Sequence, residues 1–122
     1  MDIYFKTEKL KKIFNDNDLL IKQYGAKQAF KIQIRLTALR AAISLYDFHP
    51  PRSGSEQCHE LLSGLKKGQS ILLSMNLVQP YRLIFVPANE PIIYKADGGL
   101  NWKHVTAVEI WEVRDTHDGK KK

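Results

Sequence analysis

A long segment of helix-forming residues, 26–46, is the feature that most limits how this chain can fold. Because a helix advances about 100° per residue, its apolar side chains fall on two opposite stripes. The first stripe holds Ala29, Ile32, Leu36, Leu39 and Ile43, and the second holds Phe30, Ile34, Ala38, Ala41 and Leu45. We expect one stripe to cover a sheet and the other to meet either the first helix or a partner, with the first helix favoured.

The segments around this helix predict an α+β domain. Residues 3–5 are typical of a short strand, Thr7 opens a first helix, and Asp18 is an expected N-cap of a second helix that reaches Gly25. The second half of the chain is rich in β-branched and apolar residues, with predicted strands at 70–75, 81–86 and 105–113 and a long loop at 87–101. Helices followed by meandering strands favour a small antiparallel sheet that carries its helices mainly on one face.

Composition places the chain in one ordinary globular domain. Its 122 residues are 43% hydrophobic and carry a net charge of +6, so we predict a single domain over residues 1–118 and a disordered basic tail at 119–122. No apolar run approaches the roughly 18 residues of a membrane span, and no leader pattern opens the sequence. The single cysteine, Cys58, excludes an internal disulfide. We expect a cytoplasmic protein with no membrane partner.

The positive charge is concentrated where acids are missing. Residues 19–46 contain no Asp or Glu, and neither do residues 61–89. Lys27, Lys31 and Arg35 run at i, i+4 spacing beside the second stripe of the long helix. Such surfaces attract polyanions, chiefly nucleic acid, although a basic face kept for solubility fits the composition equally well.

Several familiar chemistries lack their motifs. The sequence has no Walker-type phosphate loop, no G-x-S-x-G elbow and no H-x-x-x-H spacing, so we expect neither a metal nor a cofactor. Cys58 and His59 are adjacent, and neighbours on a strand point to opposite faces. A buried structural cysteine is therefore favoured over a thiol nucleophile.

Metal-free RNA cleavage needs a base for the 2′-hydroxyl, cations around the phosphate and an acid for the 5′-oxygen. Candidates for these tasks lie near or within the predicted strands, namely His59, Lys66, Lys67, Arg82, Asp115 and His117. Asp115 and His117 share side-chain parity on an extended segment, so Asp115 is placed to orient the imidazole. The rings of Trp102, Tyr94 and Tyr81 are candidate faces for base stacking.

Each candidate also has a plain structural interpretation. His59 could cap the end of a strand, Arg82 could form an internal salt bridge, and Lys66 and Lys67 are typical of turns. His117 could be a frayed surface residue.

Four short motifs in order resemble the HigB branch of the RelE-like toxins, the plasmid-maintenance killer proteins. They are residues 65–70 (LKKGQS), 80–85 (PYRLIF), 97–102 (DGGLNW) and 108–117 (VEIWEVRDTH). The resemblance covers most of the chain. It implies a RelE-like microbial ribonuclease fold, metal-independent cleavage of mRNA in the ribosomal A site, and neutralisation by a helix-turn-helix antitoxin.

The resemblance also assigns roles to residues. His59 matches a proton-transfer group, Arg82 a phosphate clamp, and Lys66 and Lys67 the basic turn. The family ending Asp-Tyr-His reads Asp115-Thr116-His117 here, so the stacking aromatic is missing, and Arg114 replaces a residue that is usually apolar.

The leading hypothesis is a type II toxin that acts as a ribosome-dependent endoribonuclease and inhibits translation. His59 and His117 would share the acid and base work, with Asp115 beside His117, while Arg82 and one of Lys66 or Lys67 would hold the phosphate. The alternative is a non-catalytic module that binds RNA or protein with the same basic face. A DNA-binding repressor is weaker, because the chain has no clear helix-turn-helix.

Overall fold

The computed structural model of the chain describes residues 1–48, 58–61 and 71–115. Within them it has three α-helices and one five-stranded sheet, together with short 3₁₀ turns at Leu45–Phe48 and Trp102–His104. The strands and helices follow in chain order as β1 (Asp2–Phe5), α1 (Glu8–Phe14), α2 (Asn17–Tyr24), α3 (Ala26–Ala41), β2 (Cys58–Leu61), β3 (Leu72–Asn76), β4 (Tyr81–Pro87) and β5 (Ala107–Asp115). The predicted α+β class is confirmed. The tail at 119–122 lies outside the described residues.

The sheet is mixed, so the expectation of a wholly antiparallel sheet is wrong. Its strand order is β1-β5-β4-β3-β2, with β1 parallel to β5 and the other neighbours antiparallel. The first strand pairs with the last one after the chain has crossed over through the helices. Hydrophobic pattern predicts that a segment is extended but carries no information about the direction of its neighbour.

The starts of α1 and α2 are set by side-chain caps. Thr7 Oγ1 accepts a hydrogen bond from Leu10 N at 3.1 Å, which confirms the predicted start of α1. The cap of α2 is Asp16 and not Asp18, because Asp16 Oδ1 accepts from Asp18 N at 3.0 Å and from Leu19 N at 3.2 Å. Gly25 joins α2 to α3 with a φ of 89°, a conformation that favours glycine.

Helix α3 ends earlier than its composition predicts. Ala42 is already extended, and the Asp47 carboxylate accepts from Ile43 N at 3.1 Å as the chain turns into the 3₁₀ segment. The last turn of α3 is also held by the amino group of Met1, which donates to Leu39 O at 3.2 Å and to Arg40 O at 3.0 Å. Ile43 is therefore not part of the first stripe and is 84% exposed.

The first stripe of α3 forms the core, as expected for the side that covers a sheet. Its four helical members are fully or almost fully buried, in one cluster with the facing strand residues Leu73, Met75, Leu83, Phe85, Val108 and Ile110. The second stripe is divided in its exposure. Phe30 is 68% exposed and Ala41 is exposed, whereas Ile34 and Ala38 are half-buried. Leu45, which lies beyond the helix, is fully buried in the core. The favoured packing of this stripe on the first helix is wrong, because Phe14 of α1 instead lines a crevice with Gln33 and Leu36.

Arg35 belongs to the buried side of α3 and not to the basic face. Its side chain is 2% exposed, and Nε donates to Asn76 O at 2.8 Å. Seven residues earlier, Gln28 accepts from Val78 N at 2.8 Å and donates to Val78 O at 3.3 Å. Two polar side chains of α3 thus hold the connection between β3 and β4, where backbone groups would otherwise be buried without partners.

Across the described ranges, no helix is long and apolar enough to cross a membrane.

Candidate functional site

The sheet has a second side, here called the outer face, whose side chains alternate away from the helical core. Strand register places His59 opposite Ser74, Ser74 opposite Ile84, and Ile84 opposite Glu112. Ser74 and Ile84 are fully buried, whereas His59 and Glu112 are half-buried. Ile84 is not a member of the helical core cluster. One row across four strands therefore combines a histidine, a hydroxyl, an apolar residue and a carboxylate.

The next outer-face row contains two arginines. Asn76 lies opposite Arg82, and Arg82 lies opposite Arg114. Like charges directly opposite each other on paired strands are destabilising. Arg114 is relieved by an ion pair with Glu112 on its own strand. The described residues provide no salt bridge to Arg82, so its interpretation as half of an internal salt bridge finds no support among them.

The described residues offer the Arg82 side chain few hydrogen-bond acceptors. Its Nη1 lies 3.5 Å from Ser74 Oγ, at the limit of a hydrogen bond, and its Nε is buried with no acceptor among these residues. On the facing strand, Asn76 Oδ1 is likewise buried with no donor among the described residues. A buried donor and a buried acceptor that both lack partners at paired positions are uncommon in folded proteins, and such a pair is typically satisfied by an enclosed water.

The outer face brings His59 and Arg82 to the same side of the sheet. They are two strands apart laterally and two residues apart along the strands, which corresponds to about 12 Å between their Cα atoms at ordinary strand spacing. Both side chains are long enough to approach a group lying between them. Of the six candidates from sequence, these two are the ones that the described structure places on one face.

Asp115 has a different position. Its Cα partner is Tyr81, so strand alternation puts it on the opposite side of the sheet from Arg82 and Arg114. Lys66, Lys67 and His117 lie outside the described residues, so the predicted contact between Asp115 and His117 stays a prediction.

Arg114, Ser74 and Asn76 join the site without having been predicted for it. Arg114 stood out only as a departure from the family ending. The available signal was the alternation in β5, where Glu112 and Arg114 share one parity and Val113 and Asp115 the other. Ser74 and Asn76 carry no such signal, because polar residues within an apolar strand become informative only when the register is known.

Cys58 behaves as the sequence indicates. It is fully buried and faces Met75, while His59 points to the outer face, so the two side chains do not meet. Burial raises the pKa of the Cys58 thiol, and the nearby Glu60 carboxylate raises it further, while a hydrogen bond with the Ser74 backbone lowers it. A thiol held protonated in this way is a poor nucleophile.

The aromatic residues suggested for base stacking differ in exposure. Trp102 is buried, and its Nε1 donates to Glu60 Oε2 at 2.8 Å, whereas Tyr81 and Tyr94 are exposed. On β5, Trp111 Nε1 donates to Glu109 Oε1 at 2.8 Å, and Lys6 Nζ lies 4.0 Å from the centre of the Trp111 ring. Trp111 is therefore already engaged by a cation and a carboxylate.

No group of three His, Cys, Asp or Glu side chains in the described part of the chain is arranged to hold a metal ion. Comparison with known proteins found no matching family profile, no matching curated protein and no matching solved structure.

Proposed function

We propose that this chain is the toxin of a type II toxin–antitoxin pair, an endoribonuclease that cleaves mRNA on the ribosome and is neutralised by a helix-turn-helix antitoxin. The observation that carries the proposal is the placement of Arg82 and His59 on the same outer face of the sheet. Arg82 as a whole is only half-buried, so an RNA phosphate can approach its terminal guanidinium nitrogens from that face. The ordered sequence motifs supply the choice of RNA cleavage among anion-binding functions.

In the proposed chemistry, the protein's own side chains hold the phosphate and move the protons. The guanidinium of Arg82 stabilises the negative charge that develops on the phosphate oxygens as the 2′-oxygen attacks phosphorus. Arg114 adds a second cation at the paired position. His59, on the same face, exchanges a proton with either the attacking 2′-hydroxyl or the departing 5′-oxygen, and His117 would serve the other.

The test is a set of variants expressed in a bacterial translation extract, with mRNA 5′ ends mapped before and after addition of the protein. Arg82→Ala should lower the cleavage rate about 100-fold or more, because a pre-positioned cation at the reacting phosphate is lost. Arg82→Lys should recover only part of the rate, since lysine lacks the forked geometry. Arg40→Ala, an exposed arginine on α3, is the matched control and should cleave normally.

Omission of ribosomes from the extract tests the second part of the proposal. Cleavage that persists on free RNA at the same rate contradicts ribosome dependence. Equal cleavage by the wild-type chain and Arg82→Ala, with both folded by circular dichroism, overturns the catalytic site.

The antitoxin is proposed to cover the second stripe of α3. Phe30 projects 68% exposed from a helix whose charged residues in this region are all basic, and large exposed apolar side chains are typical anchors of protein interfaces. Phe30→Glu should weaken binding of the proposed antitoxin by about 30-fold, as expected for an interface anchor. Ile21→Glu on α2 is the control, and an equal loss for both variants contradicts the assignment.

A non-catalytic module remains the second candidate, favoured by Thr116 at the position of the family tyrosine and by the placement of Asp115 away from Arg82. Codon-phased cuts in translated messages would exclude it. RNA binding that Arg82→Ala abolishes, in the absence of any cut, would establish it instead.

A further inference from the structure

A cavity of about 290 Å³ lies between the 3₁₀ turns, away from the outer face. Its described walls come from two aromatic residues, two lysines, an amide and a leucine, namely Tyr46, Trp102, Lys95, Lys103, Asn101 and Leu100. The volume is close to the lower end for small-ligand pockets, roughly 300 Å³, and so suits one small molecule and not an extended polymer.

The floor of the cavity is apolar and firmly placed. Leu100 and Trp102 are buried, and the Trp102 indole is oriented by its 2.8 Å hydrogen bond to Glu60 Oε2. A buried ring whose N–H is already bonded has one fixed orientation. Leu100 and Trp102 therefore give the cavity an apolar part, which favours an apolar group of the ligand.

The rim of the cavity is cationic and aromatic. Tyr46 is 46% exposed, and Lys103 Nζ lies 4.9 Å from the centre of its ring. Lys95 is exposed and pairs with Asp97 at 3.8 Å, a surface ion pair that holds the lysine only weakly. Two ammonium groups at the mouth of a cavity with an apolar floor attract a ligand that is apolar at one end and anionic at the other.

We infer that this cavity binds a nucleoside monophosphate group, with the base against the Trp102 and Tyr46 side of the cavity and the phosphate between Lys95 and Lys103. Asn101 lines the same cavity and provides an amide able to bond a base edge. The group can belong to a free nucleotide or to one residue of a single-stranded RNA. Neither Arg82 nor His59 lines this cavity, so binding here is independent of the proposed cleavage.

The test uses the two tryptophans of the chain. In a Trp111→Phe background, Trp102 is the sole tryptophan fluorophore, and titration with AMP or UMP should change its emission and saturate. Lys103→Gln should weaken AMP binding about two- to fivefold, the usual value of one exposed charge. Tyr46→Leu should weaken it as well, while Tyr46→Phe retains it.

Controls separate the cavity from general basicity. Lys22→Gln on α2 and Tyr4→Leu on β1 remove a lysine and an exposed tyrosine that do not line the cavity, and both should bind AMP as the parent does. Tighter binding of a tetraadenylate than of AMP assigns the site to RNA, and the reverse order assigns it to free nucleotide.

Three results would overturn the inference. The first is the absence of a saturable signal with either nucleotide. The second is unchanged affinity in both Lys103→Gln and Tyr46→Leu, in variants whose circular dichroism matches the parent. The third is binding of ribose 5-phosphate as tight as that of AMP, which would show that the base contributes nothing.

Discussion

Replacing Arg82 with methionine should make the protein more stable, although it removes the residue proposed to hold the phosphate. A buried donor without an acceptor costs about 1–3 kcal/mol, and Arg82 Nε is such a donor. The arginine also faces Arg114 across the strand pair, where like charges cost several tenths of a kcal/mol more. Methionine keeps the unbranched apolar stem and removes both penalties.

One contact is lost in this replacement, so the expected gain is smaller than the sum. The Nη1 group of Arg82 lies 3.5 Å from the buried Ser74 Oγ, a distance at which little hydrogen-bond energy remains. We therefore expect a net gain of about 1 kcal/mol in the free energy of unfolding, or about 4 °C in Tm for a domain of this size. Urea titration and calorimetry of Arg82→Met against wild type measure it.

Two further arms make this prediction refutable. Arg40→Met removes an exposed arginine of α3 and should change the free energy of unfolding by less than about 0.5 kcal/mol. Added phosphate should raise the Tm of the wild-type chain by more than that of Arg82→Met, because an anion that binds only the folded state stabilises it. A loss of more than about 1 kcal/mol in Arg82→Met would show that the guanidinium is satisfied, and the reasoning on the outer face would fail.

Three other substitutions test the contacts that stabilise the helices and the sheet around the site. Gln28→Ala removes two hydrogen bonds to Val78 and should cost about 2–3 kcal/mol in urea titration. Gln33→Ala, also on α3, removes an exposed hydrogen bond to Asn17 of α2 and should cost under about 1 kcal/mol; equal costs would contradict the structural role of Gln28. The pKa of the Cys58 thiol is raised in the folded state above its ordinary value of 9.0. The protonated thiol therefore contributes its full stabilisation below pH 9, and this contribution is lost as the pH rises above 9. The stability advantage of the wild-type chain over Cys58→Ala should then shrink by about 1.4 kcal/mol between pH 8 and pH 10 under reducing conditions, and a constant gap would show that the thiol ionises freely.

The sequence predicted the parts of the fold that depend on local pattern. The start of α1 at Thr7, the buried stripe of α3 and the three strands of the second half all follow from capping and periodicity. Predictions that depended on tertiary contacts were the wrong ones. Helix α3 stops at Ala41 because Ala42 is extended and the chain turns into a 3₁₀ segment held by the Asp47 carboxylate. Arg35 is buried because its Nε donates a hydrogen bond to a backbone carbonyl of β3.

The same division applies to the candidate site. Arg82 could be singled out from sequence, because an arginine inside an apolar strand must find an anionic or polar partner. Its neighbours could not be, since the identity of a cross-strand partner depends on the register, and a one-residue shift exchanges the two faces. The β-bulge between Ile84 and Phe85 also shifts the register of β4 against β5, and no local sequence pattern predicts this shift.

The contacts of individual arginines show which of them contribute to the surface that the net charge of +6 predicts. Not every basic residue in the acid-free segments contributes to an attractive surface, because Arg35 is buried as a structural donor. Arg114 contributes from outside those segments, although Glu112 on the same strand offsets its charge. The Arg82 end of the outer face is therefore not distinguished by its number of cations. It is distinguished by the few hydrogen-bond acceptors that the described residues offer to the Arg82 guanidinium. Net charge governs how strongly a polyanion approaches, whereas the place of a half-buried arginine on the outer face would determine where the proposed RNA phosphate binds.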